Sequence, residues 1–165
     1  NLIAIFKNKL FFKFLIVFII FFLDRISKIY VLNLVEQLEL KEIYITNFVN
    51  IYLIWNKGIA FGLLDFDDKY FYNIITFFIT LISLFILFLI IKKNNNKSYF
   101  YSLILGGALG NLFDRITLSA VPDFIDFHIG NYHWFIFNVA DIFITLGIFC
   151  LILVEIFFNK KDTNA

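Results

Sequence analysis

FYNIITFFITLISLFILFLII, residues 71–91, contains no charged residue and is bracketed by Lys69 and Lys92. About 20 mainly apolar residues in helical conformation cross the hydrocarbon of a bilayer, so this stretch predicts a transmembrane helix. Its polar members Asn73, Thr76, Thr80 and Ser83 are uncharged. The rest of the chain has the same character. It is 61% hydrophobic and 16% charged, against roughly 25% charge in soluble domains, and its mean hydropathy is +0.86. In 165 residues without a Pro/Gly/Ser-rich linker, residues 1–165 read as one integral membrane domain. A net charge of +1 sets up no field that would gather nucleic acid, which is excluded as a partner. The single cysteine, Cys150, sits in an apolar run and reads as a packed thiol.

Three further apolar runs, 14–23, 99–113 and 142–154, are too short to cross unless neighbouring charged residues are drawn to membrane depth. Spans are therefore expected near 10–32, 71–91, 99–119 and 135–158. Lys7, Lys9 and Lys13 precede the first run, but no small-residue cleavage site follows before Asp24 and Arg25, so this segment reads as a retained span. Lysines mark one side: Lys7, Lys9 and Lys13, then Lys92, Lys93 and Lys97, then Lys160 and Lys161. By the positive-inside rule these segments and both termini are cytoplasmic. The loop 33–69 carries Glu36, Glu39, Glu42, Asp65, Asp67 and Asp68 against three lysines and belongs outside. Within it IYITNFVNIYLIW, residues 43–55, is β-branched and aromatic and ends on Asn56-Lys57-Gly58, which predicts a short outer sheet. Trp55 and Phe61 suit a sheet that rests on the bilayer or covers a cleft.

Spans alternate in direction, so the polar insertions of three of them meet at the outer level: Asp24, Arg25, Ser27 and Lys28; Asn111, Asp114 and Arg115; Asn138 and Asp141. A charge at the centre of a span costs about 2.5–3.5 kcal/mol on insertion scales, and such a gathering marks a site. Asp24 and Lys28, Asn111 and Arg115, and Asn138 and Asp141 are each spaced to share a helix face. Asp24 with Lys28 reads either as a structural ion pair or as part of the chemistry, and Arg115 likewise. Gly106, Gly107 and Gly110 suit close helix approach. Asp114 is the rival for the second catalytic role, but beside Arg115 it reads rather as a permanently ionised structural carboxylate.

Asp123 follows Pro122 where the chain turns back toward the last span, and Asp126 reads as a solvated loop carboxylate. If Asp123 and Asp141 meet at a low-dielectric boundary, they share one proton. Such a pair holds a base to activate water and an acid to polarise a carbonyl, the chemistry of aspartic peptide hydrolysis. A metal is not expected, because His128 and His133 lie in a loop without a clear third ligand. The serines lack a histidine relay or nucleophile elbow.

At these residues the sequence resembles the signal peptidase II family, the lipoprotein signal peptidases, in five ordered blocks. These are Asp24-Arg25-Ile26-Ser27-Lys28, Asn56-Lys57-Gly58-Ile59-Ala60-Phe61, Gly106 to Arg115 (GGALGNLFDR), Val121-Pro122-Asp123-Phe124 and Phe137-Asn138-Val139-Ala140-Asp141. The resemblance implies four transmembrane helices with an extracellular β-cradle in the bacterial inner membrane and a catalytic dyad of Asp123 and Asp141. It further implies that Asn111, Arg115 and Asn138 support the dyad or bind substrate, while Asp24, Lys28, Asn56, Gly58 and Asp114 line or brace the site. Its implied substrate is a prolipoprotein with a diacylglyceryl-modified cysteine, cut N-terminal to that cysteine, with no cofactor, with membrane lipids around it and with globomycin-type cyclic peptides as inhibitors. Pro122 departs from the family's usual β-branched residue and removes an N–H before Asp123. The rival reading, a small transporter or channel subunit, requires polar groups at more than one depth, and the inner halves of the spans offer little beyond Glu155.

Overall fold

The computed structural model describes residues 2–58, 69–93 and 95–158, with side chains from residue 9 onward. They form α1 (Leu2–Leu38), β1 (Glu42–Tyr44), β2 (Val49–Asn56), α2 (Lys69–Lys92), α3 (Lys97–Leu118), β3 (Val121–Ile129), β4 (Tyr132–Phe137) and α4 (Val139–Phe158). Phe61, Asp65, Asp67, Asp68, Lys160 and Lys161 lie outside the described residues, as does the side chain of Lys7.

α2 and α3 fall within two residues of the spans read from sequence. α1 does not: at 37 residues and 1.5 Å per residue it is about 55 Å long, and it takes in residues 33–38, which the sequence reading gave to the outer loop. The lysine at position 28 and the glutamate at position 36 interrupt the apolar pattern without breaking the helix, because both are good helix formers. At the other end, residues 135–137 are strand rather than the start of the last span, and α4 begins at Val139.

α3 is the central helix and packs against α1, α2 and α4. Its glycines permit this. A Cβ on Gly106 would lie 2.8 Å from Ile20 Cβ of α1, and one on Gly107 would run into the Ala140 carbonyl of α4. The packed core, Val17, Ile86, Ile90, Ile104 and Leu105, lies at the level below the polar cluster. Outward faces stay apolar: Phe18 is 62% exposed, Phe77 59%, Phe85 60% and Phe149 56%. Rings displayed on all sides in this way suit an apolar surround better than water. Among the described residues two helices, α2 and α4, are long and apolar enough to cross a membrane by length and composition.

The strands make one antiparallel sheet in the order β1-β2-β3-β4. β1 and β2 realise the sheet expected in residues 43–55. β3 and the first half of β4 fall where the sequence reads as loop, and residues 135–137 where it reads as the start of the last span; the structure corrects both to strand. Val121 to Phe137 is rich in β-branched and aromatic residues around Gly130-Asn131, a two-residue hairpin turn with Gly130 at φ 59°.

Two bulges set which side chains share a face. Along β2 and β3 the register runs Val49↔Phe127, Asn50↔Asp126, Ile51↔Ile125 and then shifts to Ile54↔Asp123 and Asn56↔Val121. Without the extra residue Asp123 would oppose Leu53 and share its face with Trp55. With it, Asn56 comes round to the face of Asp123. β3 and β4 shift likewise, from Phe127↔Phe135 to His128↔His133.

Candidate active site

The site is built on one buried lysine. Lys28 is 1% exposed, and its three N–H bonds go to Asp24 Oδ2 at 2.9 Å, Asp114 Oδ2 at 2.7 Å and Asn111 Oδ1 at 2.8 Å. An ammonium has only donors, so the Asn111 oxygen must face it. The Asn111 amide NH2 is thereby turned the other way, where it donates to Asp141 Oδ1 at 2.8 Å. Arg25 closes the charge balance: it pairs with Asp114 at 2.5 Å and Asp24 at 3.2 Å and stacks 5.0 Å from the Phe113 ring centroid. Two carboxylates and two cations thus neutralise one another inside the helix bundle. Asp24 with Lys28 is the ion pair that sequence spacing offered as one alternative. Asp114 pairs with Arg25 and Lys28 on α1, not with the adjacent Arg115.

Asp24 also reaches α4, where its Oδ1 accepts the Ala140 N–H at 3.0 Å. This works because Gly110 lies alongside, where a Cβ would stand 2.5 Å from Asp24 Oδ2.

Asn138 and Asp141 form a reciprocal cap on α4. The Asp141 N–H donates to Asn138 Oδ1 at 3.1 Å, and the Asn138 N–H donates to Asp141 Oδ2 at 3.2 Å. This is the capping-box arrangement with Asp at the third helical position. It fixes Asp141 at a helix N-terminus, where the peptide dipoles favour negative charge. The Asn138 side chain then has its NH2 free to donate to Asp123 Oδ1 at 2.5 Å.

Asp123 is fully buried. Its other oxygen accepts from Asn56 Nδ2 at 2.9 Å, and Asn56 is oriented because its own Oδ1 accepts the Gly58 N–H at 2.8 Å. Arg115 donates to the Gly58 carbonyl. Burial pushes the Asp123 carboxyl up to about 7, with the Asp141 charge adding to the rise, while the Asn56 and Asn138 bonds and the Lys28 charge oppose it. The ten residues that the resemblance assigns to the site therefore lie on one connected network running from Arg115 through Gly58, Asn56, Asp123, Asn138, Asp141, Asn111 and Lys28 to Asp24 and Asp114. Arg115 has something to spare: it is 4% exposed, and its Nε and Nη1 have no partner among the described residues.

Two expectations are overturned. Asp126 is not a solvated loop carboxylate but is fully buried in β3. Nor do His128 and His133 lie in a loop without a third group. They pair across β3 and β4, and Asp126 Oδ2 is 2.7 Å from His133 Nδ1 and 3.8 Å from His128 Nδ1. Spacing could have shown this, since Asp126 and His128 are two apart in a segment with strand composition. Arg25 is the network member to which sequence reading gave no role.

The signal peptidase II family model matches residues 16–158. The chain is 56% identical over 149 residues to a lipoprotein signal peptidase of Pelagibacter ubique, covering 90% of each, and 35% identical over 153 residues to one of Anaplasma marginale, covering 89% of this chain and 87% of that one. Its fold is similar to that of a bacterial membrane enzyme solved in meso at 1.9 Å, with a TM-score of 0.68, 30% identity and coverage of 92% and 94%. With the motif blocks joined in one site and the match running almost end to end, the chain belongs to the signal peptidase II family.

Proposed function

We propose that Asp123 and Asp141 are the catalytic pair of this aspartic peptidase. As a member of its family the chain removes signal peptides from prolipoproteins. The observation that carries the assignment is the set of groups around the two carboxyls. Asn56 and Asn138 donate to the oxygens of Asp123, Asn111 and the Asn138 backbone donate to those of Asp141, and all four are N–H donors. None can accept a proton. Among the described residues, a proton held by either carboxyl can then be given only to the other carboxyl, to a water or to substrate, which is what an acid–base pair requires.

The ionised member deprotonates a water, which attacks the scissile carbonyl carbon. The protonated member donates to the carbonyl oxygen as it becomes negative, and the proton taken from water passes to the leaving amine. The fixed asparagines hold both carboxyls in place without reorganising during the step. A cavity of about 260 Å³ lined by Phe137, Asp141, Ile142, Thr145 and Leu146 adjoins Asp141, and its apolar walls suit a lipid-bearing residue. Arg115, whose Nε and Nη1 have no hydrogen-bond partner among the described residues, suits an ester or peptide carbonyl of the same substrate.

We assign the finer features on the resemblance and the charge pattern. All four helices span the bilayer as one domain, with both termini cytoplasmic and the sheet outside. The substrate cysteine carries diacylglycerol and is cut on its N-terminal side, and globomycin-type peptides compete for the cleft. A transporter reading lacks a path among the described residues, since Lys13 and Ser98 are spent on the Lys93 carbonyl, Ser102 on that of Ser98, and Glu155 pairs with Lys97.

The test is cleavage of a fluorescent diacylglyceryl lipopeptide by purified protein. Asp123→Asn and Asp141→Asn each abolish turnover while the proteins fold normally. Full activity in either variant removes that residue from the dyad. Turnover persists in excess chelator at a temperature where the stripped protein is folded, and a loss there restored by zinc would move the chemistry to the histidines.

A further inference from the structure

The buried cluster on the other face of β3 has no part in this chemistry. Asp126 and His128, two residues apart, point to one side of the strand, and Asp123, at odd spacing from them, points to the other. His133 joins them through a bulge. The Gly130-Asn131 turn sets Ile129↔Tyr132 and His128↔His133, after which the pairing jumps to Phe127↔Phe135, leaving Trp134 as the extra residue. In the register of the half away from the turn, where Asp126 pairs with Ile136, His133 would oppose Ile129, on the face away from Asp126. The inserted residue swings it round, and the two rings stack with centroids 5.4 Å apart. Bulges commonly re-aim side chains at functional positions.

The geometry points to a site for a divalent transition-metal ion of the zinc class, held by Asp126, His128 and His133. The three ligand atoms all lie within 4.8 Å of one another. Bonds of 2.0–2.1 Å in a tetrahedral site place ligand atoms about 3.3 Å apart, and the observed 2.7 and 3.8 Å separations from Asp126 Oδ2 straddle that value. Small side-chain rotations bring them to it.

Burial supplies the second, independent argument. Asp126 is 0% and His128 6% exposed, yet Asp126 Oδ1 and His128 Nδ1 have no hydrogen-bond partner among the described residues. Asn50 lies opposite Asp126 but its amide is spent on Glu42 and on the Ile45 N–H. A carboxylate oxygen and an imidazole nitrogen left unpaired in a dry place are costly. A cation bound through Asp126 Oδ2 takes up the His128 nitrogen, and a carboxylate turned to hold it with both oxygens takes up Oδ1 as well. His133, half-exposed at its side chain, gives the ion a path in and leaves room for a water at a fourth position. Two nitrogen ligands favour zinc, copper or nickel over magnesium and calcium. The ion ties β3 to β4 a few residues from Asp123 and is a clamp on the sheet rather than a participant in hydrolysis.

The experiment uses the tag-free full chain in detergent, stripped with chelator and then titrated with ZnCl2, and separately with CoCl2. Wild type is expected to bind about one equivalent of zinc, to show the visible absorption of four-coordinate cobalt and to gain thermal stability with zinc. His133→Gln and His128→Gln each weaken zinc binding by roughly tenfold or more and lose the stability gain. His133 is partly exposed, so His133→Gln folds even if His128→Gln does not, and equal melting temperatures in chelator confirm it. Zinc uptake by His133→Gln equal to wild type, or no stoichiometric uptake by wild type, overturns the site and leaves a hydrogen-bonded Asp126–His133 pair.

Discussion

Asn138 binds Asp141 twice, through its backbone N–H and through its side-chain oxygen, and spends the remaining side-chain group on Asp123. One residue therefore ends a strand connection, caps a helix and sets the position of one carboxyl relative to the other. The two roles separate by mutation. Asn138→Asp keeps a capping oxygen but replaces the donor to Asp123 with a third carboxylate. It should melt within a few degrees of wild type while losing most of its turnover. Asn138→Ala loses both roles, at about 1 kcal/mol for the cap and roughly 100-fold or more in turnover for the lost donor. Melting curves beside lipopeptide cleavage distinguish the cases, and an Asn138→Asp enzyme of normal activity would refute the bridge.

Lys28 lies where no water helps it. Lys28→Met leaves Asp24 and Asp114 with only Arg25 between them, and removing one member of a buried ion cluster costs on the order of 3–5 kcal/mol. It also frees the Asn111 amide to turn, so its NH2 no longer points at Asp141. Stability and turnover should both fall. Adding Asp24→Asn removes the excess charge without restoring the orientation of Asn111, so the double variant should regain stability and stay slow. Recovery of both together would show that Lys28 acts on charge alone.

How far the sequence disclosed this depends on the physical signal available. The α2 segment 71–91 declared itself because hydrocarbon demands an uninterrupted apolar run, and Asp24, Asn111, Asp123, Asn138 and Asp141 stood out because polar groups at that depth need a reason. The connections between them were not legible. Nothing local says that Lys28 takes the oxygen of Asn111 or that Asp24 caps Ala140, since these contacts cross from helix to helix. The β3–β4 hairpin was legible and was missed. Its Gly130-Asn131 turn lies between two apolar strands, but the short apolar run before Asn138 read equally well as the start of a span. The bulges at Leu53 and Trp134 were hidden, because a one-residue register shift is decided by pairing, and it determines whether Asn56 or Trp55 faces Asp123.

The raised pKa of Asp123 makes stability depend on pH in a definite direction. Between the ordinary value of 3.8 and its folded value of about 7, the folded protein keeps a proton that the unfolded chain has released. Stability from this group is full below about 4, falls as pH rises through that window by at most about 1.4 kcal/mol per unit, and levels off above it. Asp123→Asn removes the slope. The difference in unfolding free energy between variant and wild type should therefore move in favour of the variant from pH 4 to 7 and be constant above. Turnover needs one proton on the pair, so wild-type activity should decline on the alkaline side as that proton is lost. A variant whose stability tracks wild type across the whole window would place the Asp123 carboxylate in an ionised, well-solvated state instead.

Gly107 tests whether helix spacing sets the chemistry. A methyl at this position meets the Ala140 carbonyl and Ile144 on α4, backbone and core side chain that cannot yield independently of the helix. Gly107→Ala should displace α4 from α3 just below the cap, stretching both the Asn111–Asp141 bond and the Asp24–Ala140 bond. Overpacking of this kind costs about 1–3 kcal/mol, and a displacement near 1 Å is enough to cost roughly 100-fold in rate. Activity should thus fall further than stability does. Leu109→Ala, a change on the same helix away from α4, serves as comparison: it opens space and lowers the melting temperature, yet leaves the α3–α4 distance alone. If the two variants lose turnover in proportion to their melting temperatures, the glycine is merely a packing residue and the close approach of α3 to α4 does not govern the carboxyl pair.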